Sequence, residues 1–426
     1  MEVVEVRYKN TDVGVIPTDW IVSDVGNAFE ICNNLRLPIS QEIRESIKGQ
    51  YPYYGPTKIQ DYIDHYRIEG KYALIGEDGD HFLKWDKMPM TQLVEGRFNV
   101  NNHAHVVKGG QDASTEWFYF FFSNRDITKH LTRQGAGRYK LTKSSLMAIP
   151  CAFPPTLNEQ SAIVTALSDV DALIASLDRL IEKKKAIKQG AMQELLTGKT
   201  RLAGFGVGVG YKMTEVGRIP EDWEVYTVND LIDLLTDYDA NGSCASVAEN
   251  VKVYDNEEYA WYVRSTDLEN NSKMNEVRYV DKLSYDFLKK TSLHGGELLF
   301  LKRGDIGKVY LFEMKTKRAT VAPNLYLLKL NSISFSTYLY YFFLSNAGQS
   351  QLLSKNASTT LGALYKDDVK SVYVPLSTNR KEQEHIANAI SDMDAKIRKL
   401  EGKKDKYIQI KQGMMQELLT GKTRLV

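Results

Sequence analysis

Asp64, Glu69 and Lys71 are residue types that can hold a hard divalent cation and orient a water for phosphodiester cleavage, the chemistry of an endonuclease. Such triplets are common, however, in a chain with 26% charged residues, and Asp61-Tyr-Ile-Asp64 carries no strand signature. His103 and His105 flank Ala104, a spacing that faces one side of a strand and suits zinc. No cysteine or third histidine lies near them, so contact with a base or phosphate is the better reading. Gly198-Lys-Thr and Gly421-Lys-Thr imitate the end of a phosphate-binding loop. The glycine needed five residues earlier is instead Gln193 or Gln416, and a helix precedes each where a strand is required. Both read as helix C-caps. Gly204 to Gly210, a Gly-x-Gly-x-Gly run that follows a helix end, reads as a linker. Phe153-Pro-Pro-Thr156 has the prolines of an amino-methyltransferase element without its flanking polar and aromatic groups. No catalytic residue and no metal site is expected.

Contact with nucleic acid has more support. Lys129, Arg133, Arg138, Lys140 and Lys143 follow one another without an intervening acid, and Gly135 and Gly137 let that stretch follow a backbone. Arg133, Gln134 and Arg138 suit phosphates and purine edges; a solvated basic loop is the bland alternative. Tyr53, Tyr54 and Lys58, and then Arg97, Asn102, His103 and His105, add the aromatics, amides and imidazoles used at bases, or else serve packing. In the second half, Leu301 to Lys308 reads as strand–turn–strand presenting Lys302, Arg303 and Lys308. Lys355 to Thr360 stands where the first half has Gln134 to Tyr139, and offers Lys355, Asn356, Thr359 and Thr360. The aromatic runs Phe118 to Phe122 and Tyr340 to Leu344 read as buried helices, not stacking platforms.

The elements that must position these residues are duplicated. Ile187-Lys-Gln-Gly-Ala-Met-Gln-Glu-Leu-Leu-Thr-Gly-Lys-Thr-Arg-Leu202 recurs at Ile410 to Leu425 with a single change, Ala191 to Met414. The same offset of 223 carries Glu159-Gln160 onto Glu382-Gln383. Tyr8 to Trp20, with its Gly-x-Ile-Pro-x-Asp-Trp, returns at Tyr211 to Trp223, an offset of 203. The middles between these ends share almost nothing. The period is too long for a solenoid; two similar frames carrying two different surfaces is the simplest reading.

Ile163, Leu167, Val170, Ile174, Leu177 and Ile181 follow a 4-3-4-3-4 spacing, and Ile386, Ile390, Met393, Ile397 and Leu400 repeat it. Such a seam needs a partner helix, and the other copy is the natural one. The alternative is two amphipathic helices, each packed on its own domain. Thr156 with Glu159, and Asn379 with Glu382, have capping-box spacing. At ~1.5 Å per residue, Glu159 to Thr197 would extend roughly 60 Å, more than the ~34 Å of one DNA turn.

Composition agrees. Fifty-five basic against 54 acidic residues exclude a non-specific polycation but not a local basic surface. Cys32, Cys151 and Cys244 are far apart and form no disulfide framework, which fits a reducing cytoplasm. The longest uninterrupted apolar runs, Trp117 to Phe122 and Tyr338 to Leu344, fall far short of a membrane span, and no signal peptide is apparent.

The order of motifs, twice over, resembles the specificity subunit of type I restriction-modification systems. The resemblance covers nearly the whole chain, with Pro155 to Gln160 close to the family pattern and the stretch from Pro375 to Glu382 looser. It implies two target-recognition domains reading the halves of a bipartite, asymmetric duplex site, with the helices as antiparallel spacer. It also implies docking of modification subunits, two by expectation, and of motor-nuclease subunits. S-adenosylmethionine, ATP and magnesium would belong to those partners and none to this chain. The expected fold is α+β and pseudo-twofold, with two globular domains separated by a coiled coil of two long antiparallel helices. Its parts are a first domain at 1–155, a spacer helix at 156–200, a linker at 201–210, a second domain at 211–378 and a second helix at 379–426. A protein-interaction scaffold and a stand-alone endonuclease are the rival readings.

Overall fold

The computed structural model describes residues 7–133, 138–270, 272–355 and 362–425. The two apolar seams produce two helices of 39 residues, Leu157–Leu195 and Arg380–Leu418. Contacts gather the chain into two compact units: Met1–Asp178 with Gly402–Val426, and Arg179–Glu401. Each unit therefore contains part of both helices.

In the first unit, Ile163 and Leu167 are fully buried in one core with Leu418 and Leu419, and Met414 and Met415 pack against it. Lys411 pairs with Asp171 and Lys404 with Asp178, both at 2.6 Å, so numbering rises on one helix as it falls on the other. The pairing is antiparallel. The second unit repeats it with Met192, Leu195 and Leu196 against Ile386, Ala387 and Ile390, and with Lys188–Asp394 (2.6 Å) and Lys185–Glu401 (3.0 Å). Leu177, Ile181 and Ile397 are also buried, while Val170, Ile174, Met393 and Leu400 are half-buried.

Leu157–Leu195 is, by length and composition alone, long and apolar enough to cross a membrane. Uninterrupted runs alone did not suggest this. Its apolar side chains recur at the 3.5-residue interval of a helix packed against protein.

The first unit carries a six-stranded sheet formed by Phe29–Ile31, Ala104–Gly109, Ile68–Gly76, Thr91–Val100, Lys48–Tyr54 and Ile59–Ile63, in that order across the sheet. Asp61 thus lies on an edge strand, against the sequence expectation, because Pro52–Tyr62 and Tyr53–Asp61 pairing supplies the order that local pattern lacks. The second unit has two larger sheets among its described residues. One orders Ile232–Asp237, Leu325–Leu330, Leu298–Leu301 and Val309–Leu311; the other has five short strands around Ala260–Val263 and Ala319–Val321. The aromatic runs are core helices, Thr115–Ser123 and Ser336–Leu344, with Trp117, Phe118, Phe122, Tyr338, Phe342 and Phe343 at 0% exposure. Each unit opens on a hairpin, Tyr8–Thr11 with Gly14–Pro17 and Tyr211–Thr214 with Gly217–Pro220.

Candidate nucleic-acid interface

The repeated residues meet at one frame in each unit. In the first, Arg424 donates to Asp19 through both terminal nitrogens (3.0 and 2.9 Å), and to Glu159 through Nε and Nη2, the latter at 2.7 Å. In the second, Arg201 makes the same four bonds, to Asp222 (2.8 and 2.9 Å) and Glu382. Glu159 and Glu382 are 3% and 0% exposed, so each carboxylate needs the guanidinium fork that meets it. Hydrogen bonding to Arg201 holds the Asp222 carboxyl below its usual range.

This differs from a closed capping box. Thr156 Oγ1 accepts from the Glu159 N–H (3.3 Å), and Asn379 Oδ1 from the Lys381 N–H (3.0 Å). Neither glutamate turns back, because each is held by an arginine. The neighbouring glutamines do separate work. Gln160 accepts from the Ser114 N–H (3.0 Å) and donates to Asp112 O, while Gln383 accepts from the Phe335 N–H (3.0 Å) and donates to Ile333 O. Each thereby pins the start of an aromatic helix to a long one.

Gly198 and Gly421, at φ +68° and +69°, end the long helices as caps. The Thr200 and Thr423 N–H groups bond back to Glu194 O and Glu417 O (both 3.2 Å). A Cβ on either glycine would lie 2.5 Å from the Cδ of Pro220 or Pro17. These glycines let a helix end lie against the Ile-Pro-x-Asp-Trp segment.

On this frame the candidate contacts separate into exposed and interior groups. Thr132–Arg133 pairs with Tyr139–Lys140 as a short hairpin, with the Arg133 guanidinium 4.9 Å from the Tyr139 ring centre. Lys140 meets Glu77 (3.3 Å) and Asp78 (3.7 Å); Asp78 also meets His103 (2.8 Å), and Arg36 meets Glu77 (2.6 Å) and Asn102 O (3.0 Å). The structure therefore brings Asn102, His103, Arg133 and Lys140 to one polar rim, with exposed Arg138 on the same hairpin. Gln134 lies outside the described residues. Lys58 is exposed at the turn closed by Gly55 N–H to Lys58 O, and Tyr54 is half-buried against Phe98. Arg97 pairs with Glu69 (3.2 Å) over the Tyr66 ring, away from that network.

Two candidates are corrected. Tyr53 is fully buried, its hydroxyl donating to Leu37 O (2.6 Å). His105 is fully buried between Asn33 Nδ2 (2.9 Å) and Leu141 O (2.7 Å); burial lowers its pKa and keeps the ring neutral. Tyr53 is the buried residue of an otherwise partly exposed strand, whereas His105 lies in a strand buried on both faces from Ala104 to Val107, so neither is exposed.

The proposed cation triplet does not assemble either. Asp64 pairs with His65, Glu69 with Arg97, and Lys71 with Glu95 and Glu116. Among the described residues no group of three or more metal-binding side chains occurs.

In the second unit the strand–turn–strand forms, with the Leu301 N–H bonded to Lys308 O. Lys302 and Lys366 both reach the buried Asp237 (2.8 Å each), and Lys302 also reaches Asp239 (2.8 Å). Burial raises the Asp237 pKa, but the two lysines outweigh it and hold the carboxyl below its usual range. Lys308 is paired with Glu269 and Asp305 (2.9 Å each). Arg303 is exposed and has no ion pair among the described residues. Lys355 is half-buried at a helix end; Asn356, Thr359 and Thr360 lie outside the described residues.

The arginines of the frame, Arg201 and Arg424, were not among the sequence candidates. Their signal was present: both belong to the Gly-Lys-Thr-Arg-Leu repeat.

Comparison with known proteins supplies the family. The profile described as type I restriction modification DNA specificity domain matches residues 17–188 and again 220–410. A Haemophilus influenzae chain named as a type I restriction enzyme specificity subunit is 38% identical over 143 residues, 34% of this chain and 35% of that one. The MjaVIII specificity subunit of a type I restriction enzyme from Methanocaldococcus jannaschii is 24% identical over 96% of this chain and 94% of its own. A solved S subunit of a type I system from M. genitalium covers 94% of this chain and 96% of its own at 13% identity, with a TM-score of 0.58. These matches disfavour a stand-alone endonuclease. With a family profile spanning most of its length in two copies, this chain belongs to the type I restriction-modification DNA specificity family.

Proposed function

We propose that this chain reads a bipartite, asymmetric duplex DNA site and catalyses nothing itself. Each divergent middle reads one half, and the paired helices fix the unspecified gap. The carrying observation is the duplicated arginine frame, which mounts two dissimilar surfaces on near-identical helix ends. In this reading the chain works in the cytoplasm with two modification subunits and with motor-nuclease subunits. S-adenosylmethionine, ATP and magnesium are bound by those partners.

The test is modular exchange. Replacing the first middle with that of another family member changes one half of the selected sequence and leaves the other. Inserting four residues after both Leu177 and Leu400 lengthens the gap. A selected sequence altered in both halves by the exchange, or a gap unmoved by the insertions, refutes the reading.

A further inference from the structure

The two units share one more piece of backbone, and its side chains have opposite charge. In the first unit, Glu77-Asp78-Gly79 follows the strand Ile68–Gly76. Asp78 forms a bridge with Lys140; the Gly79 N–H donates to Tyr139 O (3.1 Å) and the Leu141 N–H to Glu77 O (2.8 Å). In the second unit, Lys302-Arg303-Gly304 follows the strand Leu298–Leu301. Arg303 forms a bridge with Ala363; the Gly304 N–H donates to Gly362 O (2.9 Å) and the Leu364 N–H to Lys302 O (3.0 Å). Both glycines have positive φ, +136° and +95°. Tyr139 and Leu141 match Gly362 and Leu364 at the offset of 223 that relates the long helices. The same turn thus pairs with the same segment in both halves, whereas Glu-Asp in one is replaced by Lys-Arg in the other.

We propose that this turn is a base-reading position in both halves, and that Arg303 selects guanine in one of them; the proposal rests on the DNA-reading function above. Lys302 and Lys366 are committed to Asp237 and Asp239, so Arg303 is the cation of this rim, among its described residues, with no acid partner. It lines an open cleft with Lys302, Tyr326 and Tyr365, and the bridge to Ala363 fixes the backbone that carries it. A guanidinium donates in pairs to guanine O6 and N7, and a carboxylate accepts from the exocyclic amine of cytosine. The second half therefore prefers an acceptor edge; in the first half Asp78 holds the slot but is paired with His103 (2.8 Å) and Lys140 (3.7 Å), so an amine-bearing edge there must compete with those two groups.

The test sequences the duplexes retained by the full chain from a random library, for the unaltered protein, Arg303→Ala, Arg303→Lys and Asp78→Asn. Arg303→Ala should lose about tenfold to a hundredfold of guanine preference at one or two adjacent pairs in one half only. Arg303→Lys should keep part of it, and 7-deazaguanine at that position should weaken the unaltered protein but not Arg303→Ala. Asp78→Asn should alter the other half. If Arg303→Ala weakens every sequence equally and lowers the salt slope by about one, the residue contacts phosphate and the proposal fails. If the unaltered chain selects no sequence, the proposed function itself fails, a result distinct from loss in the variants alone.

Discussion

Arg424→Ala and Arg201→Ala should not be equally damaging, although the two arginines make the same four bonds. Removing one partner of a buried ion pair costs about 3–5 kcal/mol, because the remaining charge is stranded. The bonds to Asp19 and Asp222, whose side chains are 50% and 40% exposed, add at most about 1 kcal/mol. The difference lies in what stays with each glutamate. Glu382 keeps hydrogen bonds from the Trp223 indole (3.2 Å) and the Ser377 hydroxyl. Glu159 keeps neither: Pro154 stands at the position of Ser377, and the Trp20 indole nitrogen is buried without a hydrogen-bond partner. A bond to a charged acceptor contributes about 1.5–3 kcal/mol. We therefore expect a loss of about 4 kcal/mol for Arg424→Ala and about 2 for Arg201→Ala. Hydrogen exchange read separately in Ile21–Asp24 and Trp223–Thr227 of the full chain measures each unit's opening. The ~2 kcal/mol difference is about thirtyfold in opening constant. Equal losses in the two units would refute the argument.

Three further outcomes are expected. Gly421→Ala should destabilise the first unit by about 2 kcal/mol or more, from the left-handed backbone and the overlap with Pro17, as read by urea unfolding. Ile163→Ala, at a fully buried seam position, should cost about 2–5 kcal/mol, whereas Ile187→Ala at an exposed position should cost little. The depressed Asp237 carboxyl contributes stability that is complete above its unfolded value near ~3.9 and is lost as pH falls through its lower folded value. Thermal unfolding of Asp237→Asn should accordingly be flatter than that of the unaltered protein below about pH 4; parallel curves would contradict this assignment.

Much of the frame was legible because it occurs twice. The apolar interval from Ile163 to Ile181 and the repeated Gly-Lys-Thr ends marked the helices and their caps. The ion clamp was harder to see, because its three parts repeat at two different offsets. Asp19 and Asp222 are 203 residues apart, while Glu159 and Glu382, like Arg201 and Arg424, are 223 apart. The divergent middles resisted for a different reason. The edge strand Ile59–Ile63 is ordered by pairing with the preceding strand Lys48–Tyr54, not by an apolar pattern of its own, and Tyr53 and His105 carry polar groups that long-range packing turned inward. A charged residue such as Lys302 reads the same in sequence whether it faces solvent or a buried Asp237.

The non-contiguous make-up of the first unit has a consequence for synthesis. Its sheet is made first, yet Ile163 and Leu167 have no Leu418 or Leu419 to meet until the ribosome has passed Leu419. At about 5–20 residues per second, the 241 residues from Asp178 to Leu419 take about 12 to 48 s. The second unit, contiguous from Arg179 to Glu401, is complete before it ends. Birth order and finishing order are therefore reversed, and the earlier-made half spends the wait with an apolar helix face uncovered, a natural target for a holding chaperone.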